Sequence, residues 1–112
     1  MNITLEMHET EAGFTMAVIA LAKLHGWRTA HFRPARTKDG GWRTAVSGDG
    51  AGFPDLILVR GTRIIAAELK VGKGKLTQAQ SDWLSDLGRV PGMTTCVWRP
   101  ADWCEIVEWL SA

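Results

Sequence analysis

Apolar residues near the start of the chain recur at intervals of three and four, and these positions share the spacing: Phe14, Val18, Leu21, and Leu24 or His25. This spacing is typical of one face of a helix. Thr10 is of the residue type that caps helix starts, and Gly26 is of the type that follows helix ends. The pattern therefore predicts an amphipathic helix from Thr10 to about His25.

Two apolar runs rich in β-branched residues flank Gly61-Thr62, which is the pattern of a β-hairpin. A two-residue loop at this point pairs Arg60 with Arg63 and, further along the strands, Asp55 with Glu68. Opposed residues point to the same face of a sheet, with Cβ atoms roughly 4.5–5.5 Å apart. The hairpin therefore predicts two carboxylates side by side, although a register shift of one residue would separate them.

The remaining pattern predicts a strand at Trp27–Phe32, a second helix after Thr77, a strand at about Thr94–Trp98, and a last helix that starts near Pro100. The second helix opens with a capping box, in which Thr77 and Gln80 satisfy the free N–H groups of its first turn, and it ends near Gly88. This order of elements predicts an α/β fold with a central mixed β-sheet flanked by helices.

Length and composition indicate how many domains the chain forms and which partners and compartments are expected. The chain has 112 residues, of which 46% are hydrophobic, and we expect residues 1–112 to form one domain. The net charge of +1 gives no global argument for nucleic-acid binding, so such binding would depend on local clusters of charge. Cys96 and Cys104 lack zinc-site spacing and suggest a reducing compartment. With no signal segment and no membrane span in the sequence, we expect a cytoplasmic protein.

The predicted acid pair needs a compensating charge, because like charges placed opposite each other destabilise a sheet. A divalent cation such as Mg²⁺ is suited to this role, since it binds one or two carboxylates and keeps waters for substrate phosphate. Lys70 lies two residues beyond Glu68 and therefore on the same face, where it can orient a water or stabilise charge on a phosphate. The alternative is a solvated strand end with no bound metal.

A larger set of residues resembles a known family: Gly52-Phe53-Pro54-Asp55-Leu56, Glu68-Leu69-Lys70, Gly74-Lys75-Leu76-Thr77, Gln80, Trp83-Leu84 and Trp98-Arg99-Pro100-Ala101-Asp102. The core of this set is similar to the PD-(D/E)xK nuclease signature. The whole set, in this order, resembles the VRR-NUC branch of that superfamily, and the resemblance extends upstream through Glu11 and Gly26-Trp27 to His31.

The resemblance implies a restriction-endonuclease-like core that hydrolyses phosphodiester bonds in DNA with Mg²⁺ or Mn²⁺. Asp55, Glu68 and the backbone carbonyl of Leu69 would bind the metal, and Lys70 would act on the attacking water. Glu11 would assist through the metal or its water, although a carboxylate in the first turn of a helix also simply complements the helix dipole. Gln80 would point toward the metal, which competes with its role as a helix cap.

Small stand-alone VRR-NUC proteins are similar to phage and bacterial Holliday-junction resolvases, which implies a homodimer acting on four-way DNA junctions in DNA repair or recombination. A symmetric junction needs two cuts, and a dimer with twofold symmetry suits it. Two alternatives remain open. One is a flap, nicking or restriction-like nuclease with the same chemistry, and the other is a non-catalytic DNA-binding module with the same fold.

Cationic side chains cluster in two segments that are candidates for contact with the DNA backbone. The segment 33–52 has no regular pattern, and its sequence is compatible with either a DNA-binding loop or a solvated loop. The segment after the second hairpin strand has lysines between glycines, but it lacks a Walker A pattern, so we expect no nucleotide cofactor. His31 is either a DNA contact or a structural histidine. The candidates are His31, Arg33, Arg36, Lys38, Arg43, Lys73 and Lys75.

Overall fold

The computed structural model describes residues 10–32, 35–36, 38–43 and 46–112, with the side chains of 35–36 and 42–43 excluded. In chain order the elements of the described part are α1 (Glu11–Leu24), β1 (Arg28–His31), β2 (Ala35–Arg36), β3 (Trp42–Arg43), β4 (Leu56–Arg60), β5 (Arg63–Leu69), α2 (Gln78–Gly88), β6 (Met93–Trp98) and α3 (Trp103–Ser111), with a 3₁₀ turn at Pro100–Asp102 before α3.

The main sheet has four strands in the order β1-β4-β5-β6. The pairs β1/β4 and β4/β5 are antiparallel, whereas β5/β6 is parallel. The structure is therefore α/β with a mixed sheet flanked by helices, as the sequence predicted. The register of the hairpin is also confirmed, because Arg60 pairs with Arg63 and Leu56 pairs with Ala67.

The two faces of the sheet have different neighbours. On one face, leucines and other apolar side chains of β4 and β5 join α1 and α3 in a single hydrophobic core, whose largest members include Phe14, Leu56, Leu58, Leu69, Trp98, Ile106 and Leu110. The other face meets α2, whose Gly88 lies against Thr95 of β6. Because side chains alternate along a strand, Glu68 lies on this second face while its neighbours Ala67 and Leu69 enter the core.

Helix α1 begins where the sequence predicted, since the hydroxyl of Thr10 accepts a hydrogen bond from the N–H of Gly13. Its buried face is centred on Phe14, Val18 and Ala22. The sequence left Leu24 or His25 as the last position of the stripe. Leu24 is wrong, since it is 77% exposed, because two residues beyond Ala22 correspond to about 200° of rotation around the helix. His25 is half-buried. None of the helices in the described ranges is long and apolar enough to cross a membrane.

The segment 33–52 is more regular than the sequence indicated. Strands β2 and β3 pair in antiparallel fashion, with Ala35 opposite Arg43 and Arg36 opposite Trp42. Strands of two residues are too short to produce a recognisable alternation, which is why the sequence predicted only a loop. Arg33 lies outside the described residues, and so do the side chains of Arg36 and Arg43.

Candidate metal and phosphate site

The site lies at the open end of the β4–β5 hairpin, where Asp55 and Glu68 continue the register one position beyond the last ladder pair. Asp55 is anchored on both sides. Its carbonyl accepts a hydrogen bond from the N–H of Phe32 at 2.9 Å, and its Oδ2 accepts one from the N–H of Leu69 at 3.0 Å. The aspartate carboxylate is thus held across the hairpin, directed at the strand that carries Glu68.

Glu68 is the buried acid of the pair, with 1% of its surface exposed. Its Oε2 lies 3.6 Å from Nζ of Lys70 and 3.2 Å from Nε2 of Gln80. Its Oε1 is buried and has no hydrogen-bond partner among the described residues. A buried carboxylate oxygen without a partner destabilises the folded state. A proton or a cation at this position would remove that penalty.

The pKa of Glu68 is raised from 4.5 to about 8, and burial is the largest cause. The neighbouring carboxylate of Asp55 also raises this pKa, while Lys70 lowers it by a smaller amount. Lys70 alone therefore does not compensate the acid pair. In the absence of another cation, the raised pKa favours a protonated Glu68 near neutral pH.

Gln80 connects this site to the start of α2, because its amide caps the helix and also contacts Glu68. Its predicted role toward a metal stays a prediction. Its Oε1 accepts a hydrogen bond from the N–H of Thr77 at 2.9 Å, which completes the capping box. Since that contact requires an acceptor, the amide nitrogen is the end that remains, and Nε2 donates to Glu68. The helix cap therefore fixes the orientation of the amide toward the carboxylate.

The start of α2 lies close to the site because the backbone of Gly52 packs directly against the backbone of Ala79. Gly52 has a φ of +85°, and a Cβ placed on it would lie 2.6 Å from the backbone carbon of Ala79. Next to it, the ring of Phe53 packs edge-on against Trp83 of α2 with centroids 5.1 Å apart. The indole N–H of Trp83 in turn donates to the carbonyl of Asp49 at 2.9 Å. These contacts place Gln80 within reach of Glu68.

The loop after Lys70 is held by a residue to which the sequence gave no structural role. The guanidinium of Arg99 donates to the carbonyls of Gly74 at 2.7 Å and of Gly72 at 3.5 Å. The backbone of Arg99 is fixed by Asp102, whose Oδ2 accepts from its N–H at 2.9 Å. The only sequence signal for this role is the position of an arginine directly after a strand that pairs with β5.

The predicted site residues are not all brought together. Asp55, Glu68, Lys70 and Gln80 converge. Glu11 is exposed at the start of α1, and no group of three His, Cys, Asp or Glu residues suited to a metal occurs in the described part of the chain. The role of Glu11 thus rests on the resemblance alone.

The predicted DNA contacts are placed as follows. Lys73 and Lys75 are exposed in the loop beside Lys70, and Lys38 is exposed in the β2–β3 connection. His31 is exposed opposite Leu56. By strand alternation its side chain is directed to the face of the sheet opposite that of Asp55.

The donor set fits a hard divalent cation. Asp55 and Glu68 offer carboxylate oxygens, which are the ligands that Mg²⁺ and Mn²⁺ prefer. The unpartnered Oε1 of Glu68 is an acceptor that a cation would satisfy. Burial is the largest cause of the raised pKa of Glu68, and a bound cation would stabilise the charged form that burial disfavours. Leu69 supplies a backbone carbonyl between Glu68 and Lys70, and its role as a third ligand remains a prediction.

The fold and the site together define an α/β domain with a buried acid pair, a lysine and an oriented amide at one end of a hairpin. No family model matches this chain, and no curated protein or solved structure matches it either.

Proposed function

We propose that this protein is a metal-dependent DNA endonuclease with a restriction-endonuclease-like core, related to VRR-NUC nucleases of the PD-(D/E)xK superfamily. The observation that carries the proposal is the convergence of Asp55, Glu68 and Lys70 at the end of one hairpin. The buried Oε1 of Glu68, which has no partner within the described residues, adds support. Paired carboxylates beside a lysine are a donor set suited to a cation and a phosphate.

In this proposal Asp55 and Glu68 hold Mg²⁺ or Mn²⁺, with the carbonyl of Leu69 as a further oxygen ligand. When bound, the cation lowers the pKa of water and stabilises negative charge on the phosphate. Lys70, with Nζ 3.6 Å from Oε2 of Glu68, positions the attacking water or stabilises the charge that develops on the phosphate. Gln80 holds the Glu68 carboxylate through its amide N–H, and Glu11 assists through the metal or its bound water.

The proposed substrate is branched DNA, with the four-way Holliday junction as the first candidate and a homodimer as the active form in the cytoplasm. Exposed Lys73 and Lys75, in the loop that Arg99 holds beside the site, supply charge for the DNA backbone. A homodimer suits this substrate because it carries two symmetric active sites, and resolving a four-way junction takes two symmetric cuts.

A gel assay with Mg²⁺ tests the proposal on four-way, flap, nicked and linear duplex substrates of matched sequence. We expect preferential cleavage of the four-way junction by paired cuts. Preference for flap or nicked DNA would support the alternative specificity with the same chemistry. Equal cleavage of all substrates would remove the claim of structure specificity, and cleavage that persists in EDTA would remove the claim of metal dependence.

A non-catalytic DNA-binding module is the second candidate, and one observation favours it. The acid pair has no third acidic, histidine or cysteine partner in the described part of the chain. Such a module would bind the same DNA with Mg²⁺ present and leave it uncut. Intact Asp55, Glu68 and Lys70 favour the enzyme, since a binding module gains nothing from a buried acid pair.

A further inference from the structure

An exposed aromatic ring lies beside the acid pair. Phe32 follows β1 immediately, and its N–H donates to the carbonyl of Asp55 at 2.9 Å. The two residues are opposed in the β1–β4 register, since His31 pairs with Leu56 one position earlier. Opposed residues point to the same face of a sheet. The side chain of Phe32 is therefore on the Asp55 side, and the residue is 43% exposed.

The ring is supported from behind by other aromatic residues. Phe53 packs edge-on against Phe32 with centroids 5.5 Å apart and an interplanar angle of 89°. Phe53 in turn packs against Trp83, which is hydrogen-bonded to the carbonyl of Asp49. This row of rings, Phe32, Phe53 and Trp83, runs from the exposed edge of the sheet to α2. It holds Phe32 in place while leaving part of the ring open to solvent.

Core packing does not account for the exposure of this ring. The hydrophobic core lies on the opposite face of the sheet, where Leu56 and Leu58 are fully buried. A fixed aromatic ring next to a phosphate site matches the way proteins hold unpaired bases, which stack on aromatic side chains. In intact duplex DNA the bases are already stacked on each other, so only an unpaired or displaced base is free to stack on such a ring.

We propose that Phe32 is a stacking platform for an unpaired base next to the scissile phosphate, and that it selects DNA with an unpaired nucleotide at the cut. This inference rests on the proposed nuclease function and specifies its substrate. The backbone link between Phe32 and Asp55 fixes the distance between the stacked base and the acid pair. A phosphate bound through a cation held by Asp55 and Glu68 would therefore lie on the same face of the sheet as the ring, and we infer that the ring receives the base of a neighbouring nucleotide.

Single-turnover cleavage with Mg²⁺, measured over a range of protein concentrations, separates the half-saturating concentration from the maximal rate. The substrates are identical branched DNAs in which the nucleotide beside the cut is unpaired, paired or abasic. For Phe32→Ala we expect a roughly tenfold higher half-saturating concentration on the unpaired substrate, about 1.4 kcal/mol. The paired and abasic substrates should show little change.

Three further variants separate stacking from general effects. Phe32→Leu keeps apolar volume without a ring and should behave like Phe32→Ala, whereas Phe32→Trp should keep wild-type binding. Trp109→Ala removes another partly exposed aromatic ring, on α3 at the opposite face, and should leave cleavage unchanged. Thermal melting of each variant checks that the fold is retained.

The inference is overturned if wild-type protein cleaves the unpaired substrate and Phe32→Ala and Phe32→Leu cleave it equally well. It is also overturned if the loss is the same on the abasic substrate. Failure of the wild-type protein to cleave or bind any of these DNAs is a different result, since it overturns the proposed function and this inference with it.

Discussion

The amide of Gln80 donates to Oε2 of Glu68 at 3.2 Å while its oxygen caps α2 at Thr77. Two variants separate these roles. Thr77→Ala removes the hydroxyl that accepts a hydrogen bond from the N–H of Gln80. This change should lower the free energy of unfolding by about 0.5–2 kcal/mol, with little loss of cleavage. Gln80→Ala should cost similar stability and also lower the cleavage rate severalfold, because Glu68 loses its oriented donor. Urea denaturation and single-turnover cleavage measure the two effects. An equal loss of cleavage in both variants would show that only the helix start matters.

The pKa of Glu68 predicts how stability depends on pH. Because this pKa is raised from 4.5 to about 8 in the folded state, the folded protein binds more protons than the unfolded chain between these values. The contribution of Glu68 to stability is therefore complete below pH 4.5 and is lost as pH rises to about 8. One proton gives a slope of at most about 1.4 kcal/mol per pH unit.

Urea denaturation in EDTA from pH 5 to 8 measures this slope. Glu68→Gln should flatten the profile. When Mn²⁺ is present in place of EDTA, stability of the wild-type protein should decline less with pH, because a cation replaces the proton. Asp86→Asn, which alters an exposed acid paired with Arg89, should keep the wild-type slope. A Glu68→Gln profile as steep as that of the wild type would assign the proton to another group.

Gly52 is predicted to control the distance between α2 and the acid pair. In Gly52→Ala the new methyl group meets the backbone of Ala79, and the residue keeps an unfavourable positive φ. Gly61→Ala is a matched control, since Gly61 also has positive φ, 61°, but its Cβ would contact nothing within 4 Å. We expect both variants to lose about 1–2 kcal/mol from the backbone conformation. Gly52→Ala should lose more than this and most of its cleavage activity. Equal stability and activity in the two variants would exclude the positioning role.

Arg99 is predicted to matter for DNA binding through the loop that it holds. Arg99→Ala frees the carbonyls of Gly72 and Gly74, so the loop with Lys73 and Lys75 loses its fixed position. We expect a several-fold higher half-saturating DNA concentration and a nearly unchanged maximal rate. Arg89→Ala is the control, because this arginine pairs only with exposed Asp86 among the contacts described for it. An effect on the maximal rate alone would place Arg99 in a different role.

The sequence predicted the parts of the site that depend on local spacing. A two-residue hairpin loop fixes the register of its strands, so the opposition of Asp55 and Glu68 followed from the position of Gly61. The contacts of Gly52 with Ala79 and of Arg99 with Gly74 join segments distant in the chain. Hydrophobic periodicity predicts local elements only, so it does not predict these contacts. The dual use of the Gln80 amide was also beyond prediction, because it depends on how close α2 lies to β5.

Calorimetric titration with Mn²⁺ at pH 7 tests the central claim most directly, with wild-type protein, Asp55→Asn, Glu68→Gln and the Asp86→Asn control. We expect saturable binding of Mn²⁺ to the wild type and the control, and loss of that binding in Asp55→Asn and Glu68→Gln. Unchanged Mn²⁺ binding by Glu68→Gln would contradict it.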